Sequence, residues 1–252
     1  MKPKTPFKWR HFQAEIILLN VRWYLRYPLS YRNLEEMMIE RGLSVDHTTI
    51  YRWVIAYAPQ INKRCRKHLK STNDSWKVDE TYIKVNGEFK YLYRAIDSDG
   101  QIIDSPLTAK RDAVAAKRFL KKIIGHEYSD VVRVINTDKA KAYPKAIEEL
   151  KESSLLPESV EARKPAVARR MFHSLVEHRA VKYLNNLIEQ DHRYTKLRVI
   201  TSQNFRNFWS AGRTIAGYES INMIRKGQIQ NVKRGDVLGQ IRFINSLFAI
   251  VV

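Results

Sequence analysis

One stretch constrains the fold more than any other. WKVDETYIKV (76–85) and EFKYLYRAID (88–97) both have strand character, and Asn86-Gly87 joins them. Asn-Gly between two such runs is the strongest short-range hairpin signal, because a tight type I′ turn needs positive φ at both central residues. A further turn, DSDG (97–100), leads into QIIDSPLTA (101–109), a third strand. Pro106 puts the end of that strand at an edge or outside the ladder, since proline has no N–H to donate. DAVAAKRFLKKII (112–124) then reads as a helix, VVRVIN (131–136) as a short buried strand, and residues 142–152 as another helix. Three hairpin-linked strands followed by alternating helices and strands imply an α/β layer with a mixed sheet.

Before residue 70 the period is helical. Phe12, Ile16, Leu19 and Trp23 are spaced for a first helix, which Pro28 ends. Ser30 is placed to cap a second helix with Leu34, Met37 and Met38 as its apolar stripe. Gly42 stops it, Asp46 caps a third helix, and Ile50, Trp53, Val54 and Tyr57 follow at i, i+3, i+4 and i+7, with Pro59 closing it. Two short helices joined by a glycine-containing turn form the helix-turn-helix pattern. His47, Thr48, Thr49, Tyr51 and Arg52 then point mostly outward from the half of the third helix that meets base edges in such motifs. An ordinary three-helix bundle has the same pattern, and charge separates the two. Lys and Arg number 45 against 26 Asp and Glu, a net charge of +19. Such a chain attracts polyanions, nucleic acid above all. No apolar run approaches the ~20 residues that span a bilayer, and no signal peptide is expected from the basic, interrupted start. Cys65 is the only cysteine. That excludes an internal disulfide and suits a reducing cytoplasm. Residues 201–252 read as helical, broken at Gly227 and Gly235, and as packing against the α/β layer or a second subunit.

Three carboxylates stand out. Asp79 lies inside the first strand, where acidic residues are poor strand formers. Asp138 lies just past the fourth strand, at the kind of strand end where open α/β sheets bind ligands. Glu189 lies in KYLNNLIEQDHR (182–193), on a helix face with Asn185 and Asn186 one turn before it, His192 and Arg193 one turn after, and Lys196 two turns after. Taken singly, Asp79 is an exposed edge residue, Asp138 a cap or turn residue, and Glu189 part of a solvated face. Together, in so basic a chain, they fit a cluster holding two divalent metals for phosphodiester chemistry. Glu80, Asp97, Asp99, Asp104 and Asp191 compete. Asp97 and Asp99 belong to a turn, Glu80 should face away from Asp79, and the spacing offers no role for Asp191.

WKVDETYIKVNG, YLYRAIDSDG, INTDKA and VKYLNNLIEQDHR, with Lys196 beyond, resemble the insertion-sequence-six family of DDE transposases. SYRNLEEMMIERGLSVDHTTIYRWV resembles that family's N-terminal helix-turn-helix, so the likeness covers nearly the whole chain and weakens after about residue 200. The resemblance implies a ribonuclease-H-like mixed sheet with flanking helices, preceded by an all-α domain. It implies metal-dependent DNA strand cleavage and strand transfer, with Mg²⁺ or Mn²⁺, two ions, on Asp79, Asp138 and Glu189. It makes Lys196 the basic residue of the catalytic set. His47, Thr48, Thr49, Tyr51, Arg52 and Arg193 are the expected DNA contacts. The expected partners are the element's terminal inverted repeats and target DNA, with a homodimer or higher oligomer in the synaptic complex and no membrane. The expected place is the cytoplasm of a prokaryote, at the nucleoid. The expected domains are 1–70 (helix-turn-helix), 71–200 (catalytic) and 201–252 (C-terminal helical). The rival reading is a catalytically impaired DNA-binding repressor of the element's own ends.

One interval departs from the family. Asp138 and Glu189 are 51 positions apart, against the family's mid-thirties. SVEAR (159–163) is echoed by LVEHR (175–179) at an offset of 16, whose removal leaves 35. Residues 162–177 are therefore expected to be an insertion, with EHRAVKY supplying the last core strand.

Overall fold

The computed structural model describes residues 6–7, 11–126, 132–138, 142–152, 176–181, 186–201 and 205–250. The chain divides into two compact units, one of residues 1–70, 85–87 and 194–252, the other of residues 71–84 and 88–193. Residues 162–175 of the expected insertion, and Asn185, lie outside the described residues.

The first unit is helical. Helix α1 spans Ala14–Arg26, α2 Tyr31–Ile39 and α3 His47–Cys65. The Ser30 hydroxyl accepts the Asn33 N–H in a capping box, and Asp46 accepts the Thr48 N–H, so both caps act as their residue types predict. On α1 the expected stripe of Phe12, Ile16, Leu19 and Trp23 is only half-buried. The buried face is Ile17, Val21, Tyr24 and Leu25 instead. The reason is that α1 packs chiefly on α3 and the later helix α7 (Phe208–Arg225), so the centre of its buried face is rotated toward both. Each fully buried side chain of this kind contributes roughly 1.5–3 kcal/mol.

Helix α3 buries Ile50, Trp53, Val54 and Tyr57 as their spacing predicts, but it does not close at Pro59 and runs on to Cys65. Proline in a helix interior removes the i→i−4 hydrogen bond, here the one to the Ile55 carbonyl. That carbonyl instead accepts from Arg213 Nε of α7 at 2.7 Å. Contact between α7 and α3 is close: a Cβ on Gly217 would lie 2.7 Å from Ala58 Cβ and 2.8 Å from a Leu25 methyl, so only glycine fits the crossing. Gly227 and Gly235 have φ of 76° and 85°, ending α7's extension and preceding α8 (Val237–Ser246). The C-terminal region thus finds its packing partners in the N-terminal helices.

The second unit is built on a six-stranded sheet among the described residues. Strand β1 spans Ser75–Val85 and β2 Glu88–Asp97, joined by Asn86 and Gly87 at φ 50° and 82°. The expected third strand is split at Ser105-Pro106 into β3 (Ile102–Asp104) and β4 (Leu107–Thr108), both antiparallel to β2. Next come α4 (Ala113–Ile124), β5 (Val134–Thr137), α5 (Ala142–Glu152), β6 (Glu177–Ala180) and α6 (Asn186–Thr201). β5 pairs parallel to both β1 and β6, for a strand order β3-β2-β1-β5-β6 with β4 also on β2. An antiparallel meander extended on one side by two parallel strands is the ribonuclease-H-like arrangement. The main core lies between the sheet and α4 and α5, around Trp76, Val78, Tyr93, Phe119, Ile135, Tyr143 and Ile147. The division between the units passes through α6 after Arg193. No helix among the described residues is long and apolar enough to cross a membrane.

Candidate active site

Parallel pairing of β1 with β5 ends at Val78 opposite Thr137. Asp79 and Asp138 are the next residue on each strand, so the two carboxylates leave the sheet side by side where the ladder stops. Asp79 remains within β1, but it has no β5 partner, so it sits where one side of the strand is no longer paired in the ladder. The end of β5 is braced. Thr137 is fully buried, its hydroxyl lies 2.8 Å from His178 Nε2 of β6, and Asn136 donates to the Trp76 carbonyl at 3.0 Å.

Glu80 alternates to the α5 side of the sheet, as strand geometry requires. Its carboxylate accepts from the Tyr143 hydroxyl and pairs with the Arg111 guanidinium. It does not, however, end up remote from Asp79. One ligand oxygen from each of Asp79, Glu80 and Asp138 lies within 4.8 Å of the others. Strand alternation sets where Glu80's Cβ points, but the longer glutamate side chain curls back to the strand-end cluster. Its side chain is only 3% exposed. Burial pushes its carboxyl above the ordinary range, although Tyr143 and Arg111 pull the other way. Tyr143 is itself held well above its ordinary value by burial and then by Glu80. Arg111 also reaches Asp138, with Nη2 3.9 Å from Oδ2.

Helix α6 meets the opposite face of the sheet. His192 Nε2 lies 3.0 Å from Asp79 Oδ2. Asp191, which the spacing left without a role, accepts from Arg94 Nη2 of β2 at 2.6 Å. Arg94 is fully buried, and its Nη1 lies 3.4 Å from His192 Nδ1. Glu189 is exposed and is not part of the Asp79–Glu80–Asp138 cluster. It stands one helical turn before His192, whose ring touches Asp79. Lys196, two turns beyond Glu189, and Arg193 are both exposed.

The expected DNA contacts on α3 are accessible to different degrees. Thr48, Tyr51 and Arg52 are exposed, while His47 and Thr49 are half-buried. His47 Nδ1 lies 3.0 Å from Glu35 Oε2, and Tyr51 sets its ring edge-on to Tyr31. Asp97 is buried and accepts the N–H groups of Asn73, Asp99 and Gln101, which accounts for it as a turn residue.

Sequence reasoning passed over Arg94, Arg111 and Tyr143. Arg94 had a signal: a cation in YLYRAID, flanked at i−2 and i+2 by Leu92 and Ile96, both buried, needs a buried anion. Arg111 and Tyr143 carried none, because their partner Glu80 was assigned away from the site.

The donor set of Asp79, Glu80 and Asp138 is all hard oxygen. That suits Mg²⁺ or Mn²⁺ and not a soft thiophilic ion.

Residues 73–228 match a protein family described as a DDE domain. The chain is 38% identical over 221 residues to the transposase for insertion sequence-like element IS431mec of Staphylococcus aureus strain Mu50, covering 87% of this chain and 88% of that protein. It is 37% identical over 221 residues, with the same coverage, to the Staphylococcus aureus transposase for insertion sequence element IS257 in transposon Tn4003. Among solved structures, the HTLV-2 integrase catalytic core domain in complex with magnesium superposes at a TM-score of 0.41 and 13% identity, over 66% of this chain and 94% of that chain.

Proposed function

Since the chain belongs to the insertion-sequence-six family of DDE transposases, we propose that Asp79, Asp138 and Glu189 are the metal-binding acids of a strand-transfer centre acting on the ends of its own element. The chain is a DNA transposase, a metal-dependent enzyme of DNA cleavage and strand transfer. The observation that carries the residue assignment is the convergence of Asp79 and Asp138 at the end of the parallel ladder. Glu189 is assigned from its place in the family motif, supported by its position one turn before the histidine on Asp79.

Bound by these acids, two Mg²⁺ or Mn²⁺ ions would activate the attacking oxygen and stabilise the leaving one. The protein supplies the geometry. A water oxygen attacks the phosphorus at the element end, the P–O3′ bond breaks, and a 3′-hydroxyl is released. That hydroxyl then attacks a target phosphodiester in line, forming one P–O bond as another breaks and freeing a target 3′-oxygen. Lys196 and Arg193, exposed on the helix of Glu189, are assigned as phosphate contacts. His47, Thr48, Thr49, Tyr51 and Arg52 are assigned to the terminal inverted repeats, within a helix-turn-helix domain of residues 1–70. Residues 71–200 are assigned to catalysis and 201–252 to helical support. Synapsis of two ends calls for a homodimer or higher oligomer in a cytoplasmic, nucleoid-associated complex. Residues 162–175 are assigned as a tolerated insertion; Val176, buried in the core, and Glu177, paired with Val134 in β6, correct the expected end at 177 and belong to the fold.

Asp79→Asn, Asp138→Asn and Glu189→Gln should each abolish strand transfer on DNA carrying the flanking repeats, with end binding unchanged on the same DNA. Transfer near the wild-type rate by any one variant removes that residue from the centre. End binding by the wild type with no metal-dependent nicking would instead make the chain a repressor.

A further inference from the structure

His192, Arg94 and Asp191 form a buried polar chain that ends on Asp79. Asp191 accepts from Arg94 at 2.6 Å, Arg94 Nη1 meets His192 Nδ1 at 3.4 Å, and His192 Nε2 meets Asp79 Oδ2 at 3.0 Å. The side chains of Arg94, His192 and Asp191 are 0%, 5% and 11% exposed. Burying a guanidinium and a carboxylate is costly unless their pairing geometry is good. A chain that needed only to attach α6 to the sheet would do so as well with apolar side chains.

The chemistry of the chain has a direction. A guanidinium offers donors and no acceptor. The ring nitrogen facing Arg94 therefore accepts, and the hydrogen sits on Nε2 and is donated to Asp79. One Asp79 oxygen is thus held by a donor from α6, and the carboxylate is fixed in rotation. Because Asp191 and His192 are neighbours on α6 and both reach β2 or β1, the same contacts also set the rotation of the helix that carries Glu189.

We propose that His192 is a positioning residue, oriented by Arg94 and Asp191, which holds Asp79 and the Glu189-bearing helix in the geometry that binds divalent metal. This rests on the reading of Asp79 as a metal-binding acid. Hydrogen bonds from neighbouring residues to metal-binding groups typically change metal affinity about 10–100-fold when removed.

The test compares two amide substitutions of similar polarity. In His192→Gln the amide sits near the Nε2 position and still donates to Asp79. In His192→Asn it sits near Nδ1, meets Arg94 and falls short of Asp79. Mn²⁺ binding to the full-length protein is read by the loss of the free-ion paramagnetic resonance signal, alongside thermal unfolding and end binding. His192→Asn should weaken Mn²⁺ binding by about tenfold or more, with end binding retained. His192→Gln should stay within about threefold of wild type, a small part of that range. Wild-type Mn²⁺ affinity in His192→Asn, or equal losses in both variants, overturns the proposal. Asp79→Asn serves as the separate check: if it leaves Mn²⁺ binding intact, it is the reading of Asp79 that fails.

Discussion

Cys65 illustrates how far one side chain's setting can be turned into a measurement. It lies at the C-terminal end of α3, fully buried, with its thiol donating to the Asn62 carbonyl at 3.3 Å. Burial pushes its pKa up from 9.0 to about 11. A raised pKa means that the folded state favours the neutral thiol. The resulting stability is fully present below pH ~9 and is lost as pH rises through about 11. Two pKa units also reduce the thiolate fraction about a hundredfold at pH 8. Iodoacetamide at pH 8 should therefore label the native protein at least about a hundredfold more slowly than the unfolded chain. Equal rates would place the thiol in water. The residue type announced part of this, since a lone cysteine is commonly buried. Its partner and the size of the shift came from the packing of α3.

Helix α3 shows the same limit for an element. Ser30 and Asp46 were readable as caps because capping is settled within about three residues of sequence. Pro59 misleads because the group that makes it tolerable is 158 positions away from the carbonyl it leaves free. Arg213 Nε supplies the Ile55 carbonyl with the donor that proline lacks, while its guanidinium stacks over Trp209 at 4.4 Å. Arg213→Ala should cost about 1.5–3 kcal/mol, as for a hydrogen bond to a charged group. In a Pro59→Ala background, the alanine restores an N–H for the Ile55 carbonyl, and the cost of Arg213→Ala should fall by about 1 kcal/mol. Chemical denaturation of the four proteins measures the coupling. Strict additivity would show that Arg213 acts through its stacking alone.

For the whole molecule, the net charge of +19 predicts DNA binding that weakens steeply with salt. Arg52→Ala and Thr49→Ala should weaken binding to the element ends by about 1–3 kcal/mol more than to unrelated DNA if they touch base edges. Equal losses on both DNAs, measured across a salt series, would assign them to the phosphate backbone. Charge, caps, the Asn86-Gly87 turn and the presence of most strands and helices were legible in the chain, because each depends on composition or on neighbours a few residues apart; the buried face of α1 and the end of α3 were not. The motifs also pointed to Asp79 and Asp138, which the fold brings into one cluster with Glu80, while Glu189 stands outside that cluster and is assigned from the family motif. The contacts between distant parts were not legible. The hydrogen bond from His192 to Asp79 joins residues 113 positions apart, and Arg94 meets Asp191 across 97. Strand alternation turned Glu80 away from Asp79, yet its side chain returned to the same cluster. A local period sets the face on which a Cβ emerges. Where a long side chain ends, and which buried charge answers another, depends on elements brought together only by the folded sheet and helices.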